Sequence, residues 1–103
     1  MTSPIVDKVK EIVHRYDPDA TITLFGSRAR GDFWEESDWD FLILTDKENV
    51  VELDKKIRSD VFDEIEMVTF DCVQTIVRTR KVWEEDLWMT PFFRNVNNEG
   101  VLV

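Results

Sequence analysis

The chain is poor in the residues that small proteins use for covalent or metal staples. Its 103 residues include one cysteine, Cys72, and one histidine, His14. A single thiol cannot close a bridge within the chain, so the fold must rest on packing, and Cys72 reads as a structural thiol. One Cys and one His fall short of the several nitrogen and sulfur ligands of a zinc site. No nucleophile-elbow motif accompanies His14, which therefore reads as a structural or surface residue. No stretch approaches the roughly 20 apolar residues of a membrane span. The opening MTSPIVDKVK carries no apolar signal core followed by small residues, and the expectation is a cytoplasmic protein. Basic residues are also scarce: 13 Lys and Arg stand against 22 Asp and Glu, a net charge of −9. That balance argues against a general nucleic-acid binder, which needs a basic face to neutralise phosphates. It suits a site that collects divalent cations or a surface that meets a basic partner, although most of the acids need serve only solubility.

What is present is a core. Hydrophobic residues make up 43% of the chain, with four Trp and seven Phe, enough for one domain over residues 1–103. Ser3 and Pro4 start a helix in which Ile5, Val6, Val9, Ile12, Val13 and Tyr16 recur at helical spacing, and Asp17-Pro18 ends it. Ala20 to Phe25 reads as a strand broken by Gly26, with a short helix from Ser27 to about Gly31. Trp39 to Leu44 is a second strand, apolar enough to be covered on both faces. Asp46 is expected to cap a second long helix with Val50, Leu53, Ile57 and Val61 on one face. The alternation in EIEMVTF, Glu64 to Phe70, predicts a third strand, and Val73, Ile76, Val77, Trp83 and Leu87 predict a further helix. Thr90-Pro91 starts a last short helix that Gly100 follows. The expected class is α/β or α+β, a small mixed sheet with flanking helices.

Leu24 to Leu44 carries the chemistry. Alternate residues of a strand face the same side, with Cβ atoms roughly 7 Å apart, so Asp38 and Asp40 share a face. Like charges at that distance repel unless something compensates, and Mg²⁺ is the usual compensation, since it prefers carboxylate oxygens and leaves positions open for phosphate and water. A strand running into Gly26 and then a helix start presents free N–H groups to an anion, and Ser27 adds a hydroxyl. Arg28 and Arg30 lie beside that turn, where one can neutralise a phosphate and the other can pair with nearby acids.

Gly26-Ser27-Arg28-Ala29-Arg30-Gly31 followed by Ser37-Asp38-Trp39-Asp40 and an apolar strand resembles the signature of the polymerase-β-like nucleotidyltransferase superfamily, in particular its minimal branch. The resemblance implies a site that transfers a nucleoside monophosphate, usually AMP from Mg-ATP, to a hydroxyl. It implies that Asp38 and Asp40 hold magnesium and that Gly26, Ser27, Arg28 and Arg30 bind the nucleotide. The family's third carboxylate, on a later strand, maps to Glu66 within Ile65-Glu66-Met67-Val68, with Asp63 and Glu64 as competing candidates. Glu stands there in place of the usual Asp. The resemblance further implies an acceptor surface on another molecule, a second copy or a helical HEPN-type protein paired with this chain as toxin and antitoxin. Trp83, Trp88, Phe92 and Phe93 would form that interface if they are not core. The competing expectation is a binding module that silences a helical partner by occlusion, with little or no catalysis.

Overall fold

The computed structural model describes residues 3–103. Helix α1 (Pro4–Tyr16) starts where Ser3 Oγ accepts the Ile5 N–H at 3.2 Å and Pro4 fills the first turn. Its buried residues Ile5, Val6, Val9, Ile12 and Val13 form one stripe. Strand β1 (Thr21–Phe25) leads through the four-residue helix α2 (Ser27–Arg30) to strand β2 (Trp39–Thr45), and the two strands pair antiparallel. Helix α3 (Val50–Val61) then crosses over to strand β3 (Val73–Thr79), which lies parallel to β2. Helices α5 (Arg80–Glu85) and α6 (Pro91–Glu99) follow, and a two-residue strand β4 (Val101–Leu102) returns to the far side of β1. The sheet order is β3-β2-β1-β4, a mixed sheet with flanking helices, the α+β class expected.

Three local expectations are corrected. Asp46 does not cap α3. Asn49 does, accepting the Glu52 N–H at 3.2 Å, while Asp46 pairs with Arg80 at 2.7 Å. Glu64 to Phe70 is not a strand either. The chain leaves α3 through a π-helical turn, Phe62–Glu66, into the short helix α4 (Met67–Thr69), and Phe70 stops it in a left-handed conformation. Leu53, Ile57, Val61 and Ile65 are all buried at four-residue spacing, so one helical stripe extends through the segment and overrides the apparent alternation. Glu64 is pinned from the same turn to Arg15 of α1 at 2.7 Å and to Lys8 at 3.1 Å, which lowers its carboxyl to about 2. The third strand lies further on, in VQTIVRT, where the helical reading of Val73, Ile76 and Val77 overlooked the buried Thr75. Val73, Thr75 and Val77 alternate inward with period 2.

That alternation divides the sheet into two faces. Ile22, Leu24, Phe41, Ile43, Val73 and Val77 pack against the stripes of α1 and α3 in the main core. On the opposite face Leu42, Leu44, Ile76 and Phe25 meet Trp83 of α5 and Phe92, Phe93 and Val96 of α6. Trp83 lies edge-on to Phe92 at 5.5 Å and tilted over Phe93 at 4.8 Å. Trp83 is therefore core and not interface, whereas Trp88 is exposed. Among the described residues no helix is long and apolar enough to cross a membrane. Helices α5 and α6 cover only part of the second face, and Asp38, Asp40 and Gln74 stand at its uncovered end.

Candidate active site

Asp40 is the second residue of β2, and Asp38 immediately precedes the strand. The backbone of Trp39 between them is anchored across the sheet, its N–H donating to the Cys72 carbonyl at 2.9 Å. Trp39 itself turns to the α1/α3 face, where it joins the main core. The two carboxylates are thereby left on the other face. Burial and the neighbouring charge of Asp38 push the Asp40 carboxyl above its ordinary value, while Arg30 pulls it partly back. The same acidic corner raises Cys72: burial is the first cause, a hydrogen bond to Asp38 the second, and the charges of Asp38, Glu66 and Asp40 follow.

The Gly26 turn closes on Asp40 from β1. Phe25 pairs with Asp40 across the hairpin, so the following glycine meets the carboxylate directly. Gly26 sits at φ 76° and ψ −161°, and a Cβ there would stand 2.5 Å from Asp40 Oδ2. Only glycine combines that backbone with that approach. Ser27 opens α2 next in the chain, so the Gly-Ser turn and the carboxylate pair share one corner of the sheet. Gly26 and Arg30, with Asn95 and Glu99 of α6, line a 230 Å³ hollow beside this corner. Arg30 is tethered there to Asp32 at 3.2 Å and to Glu99 at 3.3 Å. A broader 770 Å³ concavity is lined by Trp34, Glu35, Glu36, Ser37 and Asp38.

Arg28 lies beside the turn as expected but points into the loop that follows it. It is buried, and its guanidinium donates to the carbonyls of Ser37 and Glu35. Those donors face the chain's own backbone and are not free for a phosphate. Glu66 also departs from expectation, since it ends the π-helical turn instead of sitting in a strand. Its Oε2 faces the Val73 N–H at 3.5 Å. Among the described residues no three His, Cys, Asp or Glu side chains gather closely enough to hold a metal ion. Glu66 thus adds its charge to the corner without completing a three-acid cluster with Asp38 and Asp40. The strand residue in register with Asp40 is Gln74, whose Nε2 approaches Asp38 Oδ2 at 3.5 Å. The period-2 alternation of Val73, Thr75 and Val77 is the sequence signal that places Gln74 on this face.

The donor set fits magnesium. Asp38 and Asp40 offer hard oxygen ligands, the repulsion that raises Asp40 is what a divalent cation would relieve, and one or two carboxylates with the rest left to phosphate and water is the usual Mg²⁺ arrangement. No curated protein matches this chain. The family model for polymerase beta nucleotidyltransferases matches residues 7–87, which contain most of α1, all three long strands and Asp38, Asp40 and Glu66, and the chain belongs to that family.

Proposed function

We propose that this nucleotidyltransferase is a minimal, Mg²⁺-dependent form that moves AMP from ATP to a hydroxyl on a separate, HEPN-type helical protein, as the antitoxin of a toxin–antitoxin pair. The observation that carries the chemical part is the meeting of Gly26 with the Asp40 carboxylate, which brings a phosphate-receptive turn and a paired-acid site to one corner. Asp38 and Asp40 would hold the ion, which supplies charge neutralisation along the triphosphate. Gly26 and Ser27 would receive phosphate oxygens, and Arg30, once released from Asp32 and Glu99, would add a positive charge. The acceptor oxygen attacks the α-phosphorus, the bond to the bridging oxygen of pyrophosphate breaks, and the hydroxyl proton passes to water or to Glu66. Positioning and charge neutralisation supply most of the rate enhancement in such a site. The acidic concavity at Trp34, Glu35 and Glu36 repels a triphosphate and suits the acceptor. Exposed Trp34, Trp88 and Met89 support a protein acceptor.

Gln74 favours a second reading. With an amide beside Asp40 and no three-acid cluster among the described residues, the chain would silence its partner by occlusion, with or without nucleotide and with little turnover. Calorimetry with Mg-ATP on the wild type and Asp38→Asn tests the site: binding that Asp38→Asn abolishes supports it, and equal behaviour of the two defeats the catalytic reading. Incubation with labelled ATP, Mg²⁺ and the product of the neighbouring gene then separates them. Label transfer supports catalysis, and silencing that survives the Asp38→Ala, Asp40→Ala double substitution supports occlusion.

A further inference from the structure

Arg28 is the second residue of a four-residue surface helix, yet only 8% of it is exposed. Its Nε and Nη2 both donate to the Ser37 carbonyl, at 3.3 and 3.1 Å, and Nη2 also donates to the Glu35 carbonyl at 3.1 Å. The guanidinium carbon lies 4.6 Å from the centre of the Phe33 ring and 4.3 Å from that of Trp39. One buried cation therefore contacts the residue before Asp38, the residue after it, and two points of the loop leading to both. The loop is otherwise tied by a small turn, in which Trp34 N–H donates to Ser37 Oγ at 2.9 Å and Ser37 N–H to the Trp34 carbonyl at 3.2 Å. That turn fixes Ser37 against Trp34 but fixes neither against the sheet.

We propose that Arg28 is a positioning residue that sets Asp38 against Asp40 by clamping the peptide before Asp38 and the ring of the residue after it. The two acids repel each other, and the exposed loop of residues 32–36 offers little packing of its own, so the pair needs an external anchor to stay in ligand geometry. A guanidinium suits this because its planar fork spans two carbonyls while its faces stack on rings. Lysine has the charge but neither the fork nor the plane. The proposal rests on the reading of Asp38 and Asp40 as the metal-nucleotide site, and it assigns to Arg28 an indirect role in place of phosphate contact.

The test titrates Mn²⁺ and Mg-ATP into wild type, Asp38→Asn, Arg28→Lys and Phe33→Leu, well below each melting temperature, with cleavage by a glutamate-specific protease at Glu35 and Glu36 followed in parallel. Arg28→Lys should melt cooperatively, be cut faster in the loop, and need about 10- to 100-fold more Mn²⁺ for half-saturation, the usual loss when a residue supporting a metal ligand is replaced. Phe33→Leu, at a half-exposed position that tolerates the change, should shift the Mn²⁺ midpoint the same way by less. A purely structural role would lower the melting temperature without moving that midpoint. Wild-type Mn²⁺ affinity in Arg28→Lys, with binding still lost in Asp38→Asn, overturns the positioning role alone. Should Arg28→Lys fail to fold, the Phe33→Leu midpoint decides: a shift supports the clamp and an unchanged value overturns it. Absence of binding in the wild type overturns the site and the clamp together.

Discussion

Replacing Gly26 with alanine separates the backbone requirement of the turn from its contact with the carboxylate. The φ of 76° with ψ of −161° lies in a region essentially reserved for glycine. Holding an alanine there costs about 1–3 kcal/mol, and the stiffer unfolded chain returns only about 0.4–1 kcal/mol of that. A net loss of about 1–2 kcal/mol corresponds to a fall in melting temperature of roughly 4–16 °C for a domain of this size. The new Cβ would also lie 2.5 Å from Asp40 Oδ2 and 3.4 Å from its Cγ. Oδ2 ends a short side chain, so the carboxylate rotates away and the strand stays in place. Stability therefore reports the backbone, and Mn²⁺ affinity reports the displaced acid. Gly31 provides the control, since its φ is 88° but nothing stands within 4 Å of a Cβ built on it. Scanning calorimetry and Mn²⁺ titration should show Gly31→Ala destabilised but still binding, and Gly26→Ala destabilised and not binding. In an Asp40→Ala background the stability loss of Gly26→Ala should persist. If it vanishes there, collision and not φ set the cost, and the reasoning fails. It fails equally if Gly26→Ala melts like the wild type or binds Mn²⁺ normally.

Three other outcomes follow from the same corner and its supporting core. Asp40 is raised above 3.8 by burial and by Asp38, so its ionised form is less favourable in the folded chain than in the unfolded one. That penalty is present above the folded pKa and disappears as pH falls through the folded and then the unfolded value. Asp40→Asn should thus melt higher than wild type at neutral pH and lose the advantage on acidification, and a pH-independent difference would contradict the assignment. Gln74→Asp adds a third carboxylate in register with Asp40, and should lower the metal-free melting temperature while tightening Mg²⁺ binding, as thermal shift with and without the ion would report. Trp83→Ala removes the buried ring that Phe92 and Phe93 pack on and should cost about 3–5 kcal/mol, read by urea unfolding, with Trp88→Ala nearly neutral because Trp88 is exposed.

Local chemistry was readable along the chain wherever a single residue type dictated it. Ser3-Pro4 and Thr90-Pro91 announced their helices because a hydroxyl cap and a proline act within one turn, and Gly26 and Gly31 both take the positive φ that a glycine permits. The Asp38 and Asp40 pair, on one face at the head of an apolar strand, was likewise legible from period 2 alone. What the sequence could not decide was the segment from Phe62 to Thr79. EIEMVTF alternates as a strand would, yet Ile65 completes a stripe with Leu53, Ile57 and Val61 that only packing against α1 selects. VQTIVRT satisfies helical and strand spacing at once, and its parallel pairing with β2 settles the matter through contacts some thirty residues away in the chain. The partner of the paired acids went with it: Glu66 moved onto a helical turn and Gln74 took its place beside Asp40. Arg28 shows the same limit from the other side. Its position next to the Gly-Ser turn suggests a phosphate ligand, and the tertiary structure turns it inward because two carbonyls and a ring of the following loop and the Trp39 ring of β2 converge on it. Residue type and spacing determine what a side chain can do nearby, whereas which distant group it meets is fixed only when the sheet and its helices pack.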